Sequence, residues 1–532
     1  ARVQHPVDTP RVRVLLAELF PPDAGAATGL DAQAAACALA MRSVVSVVTG
    51  GPGTGKTHTA ARLLVLASVL DGSDTPLRFA LAAPTGKAAA RLRQSIAAAL
   101  ESIAGQGRAL APQAAALAAR LPPARTLHAL LGARPDTRQL RYGPRHPLPV
   151  DLLLLDEASM VHLDGMTRLV QALAPATRLV LLGDKDQLAS VEAGAVMAEL
   201  CAQALPGPAD ADSAAYLQAC LGLAAAPQPS GARAQEPPAH ALARHTSVLT
   251  RSLRFQGAIA ALASAAHRGD AGEAEALLRD GAAGVLQWAA PARTEDLLHL
   301  VLHGTLAPAG PLPGPPSPAG GYAQALAGWR GAAVDPGAQA PAGALDDATL
   351  LALLREFDRF RVLCAVREGA WGVQALNASI ERALAGAGLI RPGCTWYPGR
   401  PVMVMRNESA AGVFNGDIGI VLPPAAPGAA VRVAFAEGGT VRRVAASRLP
   451  EVQTAFAMTV HKAQGSEFSH TVLVLPPEVS AVLRRELVYT GITRARERFT
   501  LLTPRPSVLA QALAQRSTRA SGLAERLCDP AS

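Results

Sequence analysis

The sequence predicts an α/β protein with parallel sheets flanked by helices, arranged in two halves, with a small β-barrel inserted into the second. Three observations predict it. Residues 30–200 alternate short apolar strands with alanine-rich helical stretches, the pattern of βαβ units. Residues 50–57 read Gly50-Gly51-Pro52-Gly53-Thr54-Gly55-Lys56-Thr57, a complete G-x-x-x-x-G-K-[ST] phosphate loop between a strand pattern and a helix pattern. Residues 400–455 switch to short β-rich runs separated by Asn-Gly and Gly-Gly turns.

The elements follow in order. Val44 to Val48 is a β-branched stretch that reads as a buried strand, and His58 to Leu66 reads as the helix after the loop. Further strands are expected at Arg78 to Ala82, Asp151 to Leu155 and Arg178 to Leu182. Residues 204–245 and 304–345 are rich in Ala, Pro and Gly, and read as surface insertions or linkers with little ability to bury a core. The α/β pattern resumes at Arg361 to Ala365. Pro401 to Met405, Ile418 to Val421 and Val431 to Phe435 supply the barrel strands, and Leu487-Val488-Tyr489 reads as strand-like.

The 532 residues exceed what one hydrophobic core organises. No apolar run reaches the roughly 18 residues of a spanning helix, so no membrane association is expected. Nothing at the N-terminus reads as a signal peptide, and the missing initiator Met leaves room for residues upstream. The 6 cysteines are far apart with no C-x-x-C pair, which points to isolated thiols in a reducing compartment, the cytoplasm by default. The net charge of +8 is concentrated. Basic residues from Lys87, Arg91 and Arg93 to Arg138, Arg141 and Arg145 face only Glu101 and Asp136. That is either the footprint of a polyanion partner or a solvated arginine face.

The phosphate loop implies a bound nucleoside triphosphate. Its glycines let backbone N–H groups wrap the phosphates at a helix N-terminus. Lys56 is expected on the β- and γ-phosphates and Thr57 on Mg²⁺. Leu152-Leu153-Leu154-Leu155-Asp156-Glu157 is an apolar strand ending in two carboxylates. Asp156 is expected to hold Mg²⁺, and Glu157 to orient or deprotonate the attacking water. Gln187, in Gly183-Asp184-Lys185-Asp186-Gln187-Leu188, is a neutral amide able to report the γ-phosphate.

Together these stretches resemble motifs of superfamily 1 helicases. Asp156-Glu157-Ala158-Ser159 and Gly183 to Leu188 resemble motifs II and III, Ala83 to Ala89 motif Ia, and Thr126 to Leu131 motif Ib. Arg251 to Phe255 resembles motif IV, Thr459 to Phe468 motif V, and Val488 to Arg496 motif VI. Gly183 to Val196, Gly399 to Met403 and Phe414 to Gly419 narrow the resemblance to the RecD family, the α subunits of RecBCD-type exonuclease V. The form of motif V is that of the 5′→3′ branch.

The resemblance implies two RecA-like P-loop domains and an SH3-like barrel. Residues 1–30 would be a remnant of an N-terminal region. Residues 31–248 would form the first domain, with a hairpin insertion at 133–147, and residues 249–399 with 451–532 the second. The barrel would occupy 400–450. It implies an ATP- and Mg²⁺-dependent 5′→3′ DNA helicase acting in double-strand break repair and recombination, on single-stranded and on tailed or blunt duplex DNA. RecB- and RecC-like subunits would complete a heterotrimer. Arg254 and Arg494 would reach the γ-phosphate. Gln33, Gly51, Pro52, Gly53, Thr54, Gly55, Lys56, Thr57 and Glu467 would hold the nucleotide. Pro84, Thr85, Lys87, Thr126, His128, Asn407, Asn415, Thr459 and His461 would contact DNA. Members of this family usually carry a docking domain ahead of the loop, so here that domain is expected to be absent or truncated. A stand-alone helicase of the same branch, and an ATP-dependent DNA-binding switch that does not translocate, stay open. No carboxylate–lysine cluster of a nuclease is evident.

Overall fold

The computed structural model describes every residue except 1–4, 22–30, 72–75, 134–138, 191–193, 205, 223–240, 252–256, 307–319, 334–344, 409, 425, 427, 450, 518–521 and 529–532. The chain divides into two units, residues 1–254 with 518–532 and residues 255–517.

The first unit is built on β1 (Val45–Gly50), β2 (Phe79–Ala83), β3 (Arg125–Thr126), β4 (Leu152–Leu155), β5 (Arg178–Gly183) and β6 (Thr246–Leu249). They form a parallel 6-stranded sheet in the order β3-β2-β4-β5-β1-β6. The strand stretches expected from sequence fall on β1, β2, β4 and β5. Leu152 to Leu155 are all 0% exposed, because helices cover both faces and a central parallel strand must be apolar on each side. The helix Ala32–Arg42 precedes β1. Asp31 caps it, accepting hydrogen bonds from the Gln33 and Ala34 N–H groups.

Part of the stretch expected to be a core-poor insertion is not one. Residues 211–221 form the helix Ala211–Leu221, which buries Ser213, Leu217 and Cys220. Arg42 pairs with Asp212 at 3.1 Å and lies over the Tyr216 ring, whose hydroxyl donates to the Ala38 carbonyl at 2.8 Å. The bland composition hides one apolar face at helical spacing.

The second unit contains, in chain order, β7 (Leu286–Ala289), β8 (Phe360–Cys364), β9 (Pro401–Val404), β10 (Ile418–Val421), β11 (Arg432–Glu437), β12 (Thr440–Ala445), β13 (Val452–Thr454), β14 (Ala457–Thr459), β15 (Phe468–Val474) and β16 (Ala495–Leu502). A parallel 5-stranded sheet runs β14-β8-β15-β16-β7, and a second sheet runs β12-β11-β10-β9-β13 with antiparallel pairing. Val402, Val404, Val421, Val433 and Phe435 form the small core of the antiparallel sheet. Gly419 is required there, since a Cβ would meet the Ala434 carbonyl and the Phe435 ring at 2.7 Å.

The second low-complexity stretch also contributes core. Residues 321–333 form a helix that buries Tyr322, Ala325, Leu326 and Trp329, an i, i+3, i+4, i+7 stripe. The Tyr322 ring meets Phe357, Phe360 and Phe456 at centroid distances of 5.0, 5.0 and 5.2 Å. Most of the remainder of both stretches lies outside the described residues. Leu487-Val488-Tyr489, read as strand-like, lies within the helix Arg485–Ile492. A short apolar run has no periodicity of its own to decide between the two. Residues 518–532, expected with the second half, group with the first unit, where the Leu523 N–H donates to Glu199 at 3.1 Å. No described helix is long and apolar enough to cross a membrane.

One buried group ties stability to pH. His470, on β15, shares a hydrogen bond with Thr500 at 2.8 Å and sits edge-on to Phe360. Burial, then the Arg498 charge, lowers its pKa to about 3. The unfolded chain takes up a proton near 6.5 and the folded chain does not, so stability is lost as pH falls from 6.5 towards 3. By linkage the loss at pH 5 is about 2 kcal/mol. Urea melts at pH 7 and 5 of the unsubstituted chain and of His470→Gln should differ in their pH dependence by about that amount. An unchanged pH slope in the variant would exclude His470 as the source.

Candidate functional site

The strands β1, β4 and β5 are neighbours and parallel, so their C-terminal ends share one edge of the first sheet. The phosphate loop leaves β1 and enters the helix Lys56–Leu70. Gly53 and Gly55 take φ of 76° and 85°, the left-handed region that glycine enters without a Cβ clash. This turns successive N–H groups towards one point at a helix N-terminus. The Thr54 hydroxyl donates to the Gly51 carbonyl at 2.8 Å. Lys56 Nζ donates to the Gly50 and Gly51 carbonyls at 2.6 and 3.0 Å, folded back over its own loop. Gln33 Nε2 donates to the Thr54 carbonyl at 3.1 Å, so the Asp31 cap places this side chain on the loop.

Asp156 and Glu157 follow β4 directly. Asp156 Oδ1 accepts from the Glu157 N–H at 2.9 Å. Burial, and secondarily the Glu157 charge, raises the Asp156 carboxyl to about 6, against the opposing pull of Lys56. A buried carboxylate held this way gains from a cation. Glu157 adopts φ 51° and ψ 40°, an uncommon conformation for a non-glycine residue. A carboxylate and a threonine hydroxyl (Thr57) are hard oxygen donors of the kind Mg²⁺ takes.

Sequence reasoning singled out Gln187 and passed over Asp184. Asp184 leaves β5, between the strands that deliver Asp156 and the phosphate loop. It is 2% exposed. Its carboxylate accepts from Gln187 Nε2 at 3.1 Å and from the Asp186 N–H at 3.0 Å. Burial raises its pKa, and Lys56 is the main influence lowering it. In the sequence it stands within Gly183 to Leu188 with no role of its own assigned; the strand order makes its place central.

The remaining expected residues fall into two groups, one in each unit. Ala83 and Thr126 are register partners on β2 and β3, so Pro84, Thr85 and Lys87 lie beside Thr126 and His128 at the outer edge of the first sheet. Thr85 and Thr126 each cap the helix that follows, accepting from the Ala88 and Ala129 N–H groups at 3.2 Å. Of the segment 133–147, residues 134–138 lie outside the described residues. The rest carries a Gly143–His146 bridge with Tyr142 stacked on His146 at 5.3 Å. In the second unit, Asn415 N–H donates to Asn407 Oδ1 at 2.8 Å and Lys462 Nζ to Asn415 Oδ1 at 2.9 Å. This joins the β9–β10 loop to the turn that follows Thr459 at the end of β14 and carries His461.

Arg494 is 3% exposed and donates to the carbonyls of Thr490 and Ser466, each at 3.2 Å. Glu467 pairs with Arg496 at 2.9 Å. Arg254 lies outside the described residues.

Two family models match the chain, an AAA domain over residues 33–193 and a UvrD-like helicase C-terminal domain over residues 454–502. The chain is 37% identical to RecBCD enzyme subunit RecD of Haemophilus influenzae over 94% of this chain and 72% of that protein. It is 36% identical to RecBCD enzyme subunit RecD of Mycobacterium tuberculosis (strain CDC 1551), covering 98% of this chain and 76% of that protein. It is 30% identical to the ATP-dependent RecD2 DNA helicase of Deinococcus radiodurans, covering 90% of this chain and 50% of that protein. With that identity across nearly its whole length, the chain belongs to the RecD family.

Proposed function

We propose that this chain is an ATP-dependent DNA helicase that moves 5′→3′ along one strand as a motor subunit of a RecBCD-type enzyme. The observation that carries it is the convergence of the phosphate loop, Asp156, Glu157 and Gln187 on one edge of a parallel sheet, in a member of the RecD family. In this reading the loop N–H groups, Lys56 and Thr57 hold the triphosphate. Thr57 and Asp156 would hold Mg²⁺, which would supply positive charge against the triphosphate. Glu157 takes the proton of the attacking water, and Gln187 reports the γ-phosphate. Asp184 fixes the Gln187 amide so that its N–H faces the carboxylate. Arg494 and Arg254 supply charge to the transition state. Gln33 and Glu467 complete nucleotide binding.

Pro84, Thr85, Lys87, Thr126 and His128 contact the DNA backbone from the first unit, and Asn407, Asn415, Thr459 and His461 from the second. Phosphate contacts position without reading bases, so binding is salt-dependent with little sequence preference. We read the antiparallel sheet as the SH3-like module, and RecB- and RecC-like subunits as the partners.

The similarity to a RecD2 DNA helicase favours a second reading, a helicase that works alone. Strand separation on 5′- and 3′-tailed duplexes, with and without RecB- and RecC-like subunits, decides between them. The subunit reading expects weak unwinding alone and strong unwinding in the complex, on 5′-tailed substrates. Robust unwinding by the chain alone selects the second reading, and unwinding only from 3′ tails overturns the polarity.

A further inference from the structure

Within the second unit the chain passes from the antiparallel sheet to the parallel one by way of two residues. β13 ends at Thr454, Ala455 and Phe456 cross, and β14 begins at Ala457. Both crossing residues are 0% exposed, so their backbone polar groups have to be paired inside the protein. The Ala455 N–H donates to the Pro401 carbonyl of β9 at 3.0 Å. The successive carbonyls of Ala455, Phe456 and Ala457 are each taken by a side chain from a different element. Arg361 Nη1, on β8, donates to Ala455 at 2.7 Å. The Tyr322 hydroxyl, on the helix Gly321–Ala333, donates to Phe456. Asn377 Nδ2, on the helix Val373–Gly386, donates to Ala457 at 2.9 Å. Burial pushes the Tyr322 hydroxyl up to about 12, which keeps its proton in place for this bond.

Asn377 Oδ1 also accepts from the Ala457 N–H at 2.9 Å, so one side-chain amide pairs with both backbone groups of one residue. β14 is 3 residues long and lies at the edge of its sheet, with β8 as its strand neighbour. An edge strand presents unpaired N–H and C=O groups on its open side. The Asn377 amide stands where a further strand would pair. Arg361 is 0% exposed and its charge is matched by Asp358 at 2.6 Å. Its guanidinium lies over the Phe468 ring at 5.4 Å, so Arg361 touches the segment 455–468 at both ends. Inside that segment is the turn after β14. In a strand this short, a displacement at Ala457 reaches that turn undiminished.

We propose that Tyr322, Arg361 and Asn377 are positioning residues that clamp the entry to β14 and thereby hold the turn after β14 in the placement from which single-stranded DNA stimulates ATP hydrolysis. The proposal rests on the DNA-motor reading. All three side chains are buried and act through the backbone they hold, touching neither nucleotide nor nucleic acid. Without them the turn has to be ordered when the strand binds, and that cost falls on the DNA-dependent step. The phosphate loop, Asp156 and Glu157 stand in the first unit and keep their own supports.

The test is ATP hydrolysis by the full chain across a titration of a single-stranded oligonucleotide. Tyr322→Phe deletes one hydroxyl and keeps the ring. Asn377→Leu keeps most of the amide's volume and removes both bonds to Ala457. Each should raise the oligonucleotide concentration for half-maximal stimulation by at least about fivefold, the scale of one lost buried hydrogen bond. Hydrolysis without DNA, and its KM for ATP, should stay at the unsubstituted level. Leu384→Ala empties a fully buried position on the same helix as Asn377 and serves as the structural control. Its melting temperature should fall at least as far as that of Tyr322→Phe, with half-maximal stimulation unmoved. Unsubstituted half-saturation in both Tyr322→Phe and Asn377→Leu, with the unsubstituted chain stimulated by DNA, overturns the clamp. An equal shift in Leu384→Ala also overturns it, because the effect would then be one of stability alone. Absence of any stimulation in the unsubstituted chain overturns the DNA-motor reading itself, and the clamp with it.

Discussion

Lys56→Gln is expected to lower ATP hydrolysis by at least about 10²-fold, because removing one preorganised electrostatic stabiliser of this kind costs on that order in rate. The physical argument starts from where the ammonium stands. Lys56 is bonded to the Gly50 and Gly51 carbonyls, the first residues of its own loop. It therefore already lies at the mouth of the nest that receives the phosphates, and a short movement transfers it from carbonyl oxygens to phosphate oxygens. Glutamine keeps much of the length and can donate to the same carbonyls, so the loop should keep its shape. What is lost is the charge. Steady-state ATPase assays with and without single-stranded DNA measure the effect, and thermal melting checks that the fold survives. Near-wild-type turnover by the variant would remove the phosphate loop from the mechanism.

Glu157→Gln is expected to separate binding from chemistry. A positioned general base contributes about 10²–10⁴-fold, so turnover should fall by that range while nucleotide affinity stays close to the unsubstituted level. The affinity should hold because Lys56, Thr57 and the loop amides are untouched. Glu157 also carries a structural signature. Its left-handed backbone, with φ 51°, costs about 1–3 kcal/mol for a non-glycine residue. Glu157→Gly should therefore raise the melting temperature while abolishing turnover. A carboxylate kept at the cost of strain is the mark of a residue placed for its side chain. A glycine variant no more stable than the unsubstituted protein would show that the backbone is unstrained, and unaltered turnover in Glu157→Gln would assign the base elsewhere.

Much of this site was legible before any coordinates, and the reason is locality. Gly50 to Thr57 specify a strand, a turn and a helix within a few residues, and the glycines at 53 and 55 are needed for positive φ. Asp156 and Glu157 are legible because they close the apolar run Leu152 to Leu155 in a chain that already carries a phosphate loop upstream. Asp184 was not legible. A single aspartate after an apolar run is indistinguishable from a helix cap until the strand order puts β5 between β4 and β1. The helices Ala211–Leu221 and Gly321–Ala333 were hidden for another reason. Alanine-, proline- and glycine-rich composition masks a stripe of few but well-spaced apolar residues, and only the surfaces they meet give those residues weight. The helix Arg485–Ile492 was misread because three consecutive apolar residues fit either period.

The sequence by itself determined the alternating α/β class and the order of the motifs, which are read along the chain, and the phosphate loop and carboxylate pair, each encoded within a few residues. The tertiary structure alone decided which distant segments become neighbours. It set Asp184 at the end of β5, between the strands that deliver Asp156 and the phosphate loop, and Lys462 within hydrogen-bond reach of Asn415. Those neighbours are separated by tens of residues or more in the chain. They meet because strand order and register are settled by burial of whole sheet faces, a collective quantity that no local pattern carries.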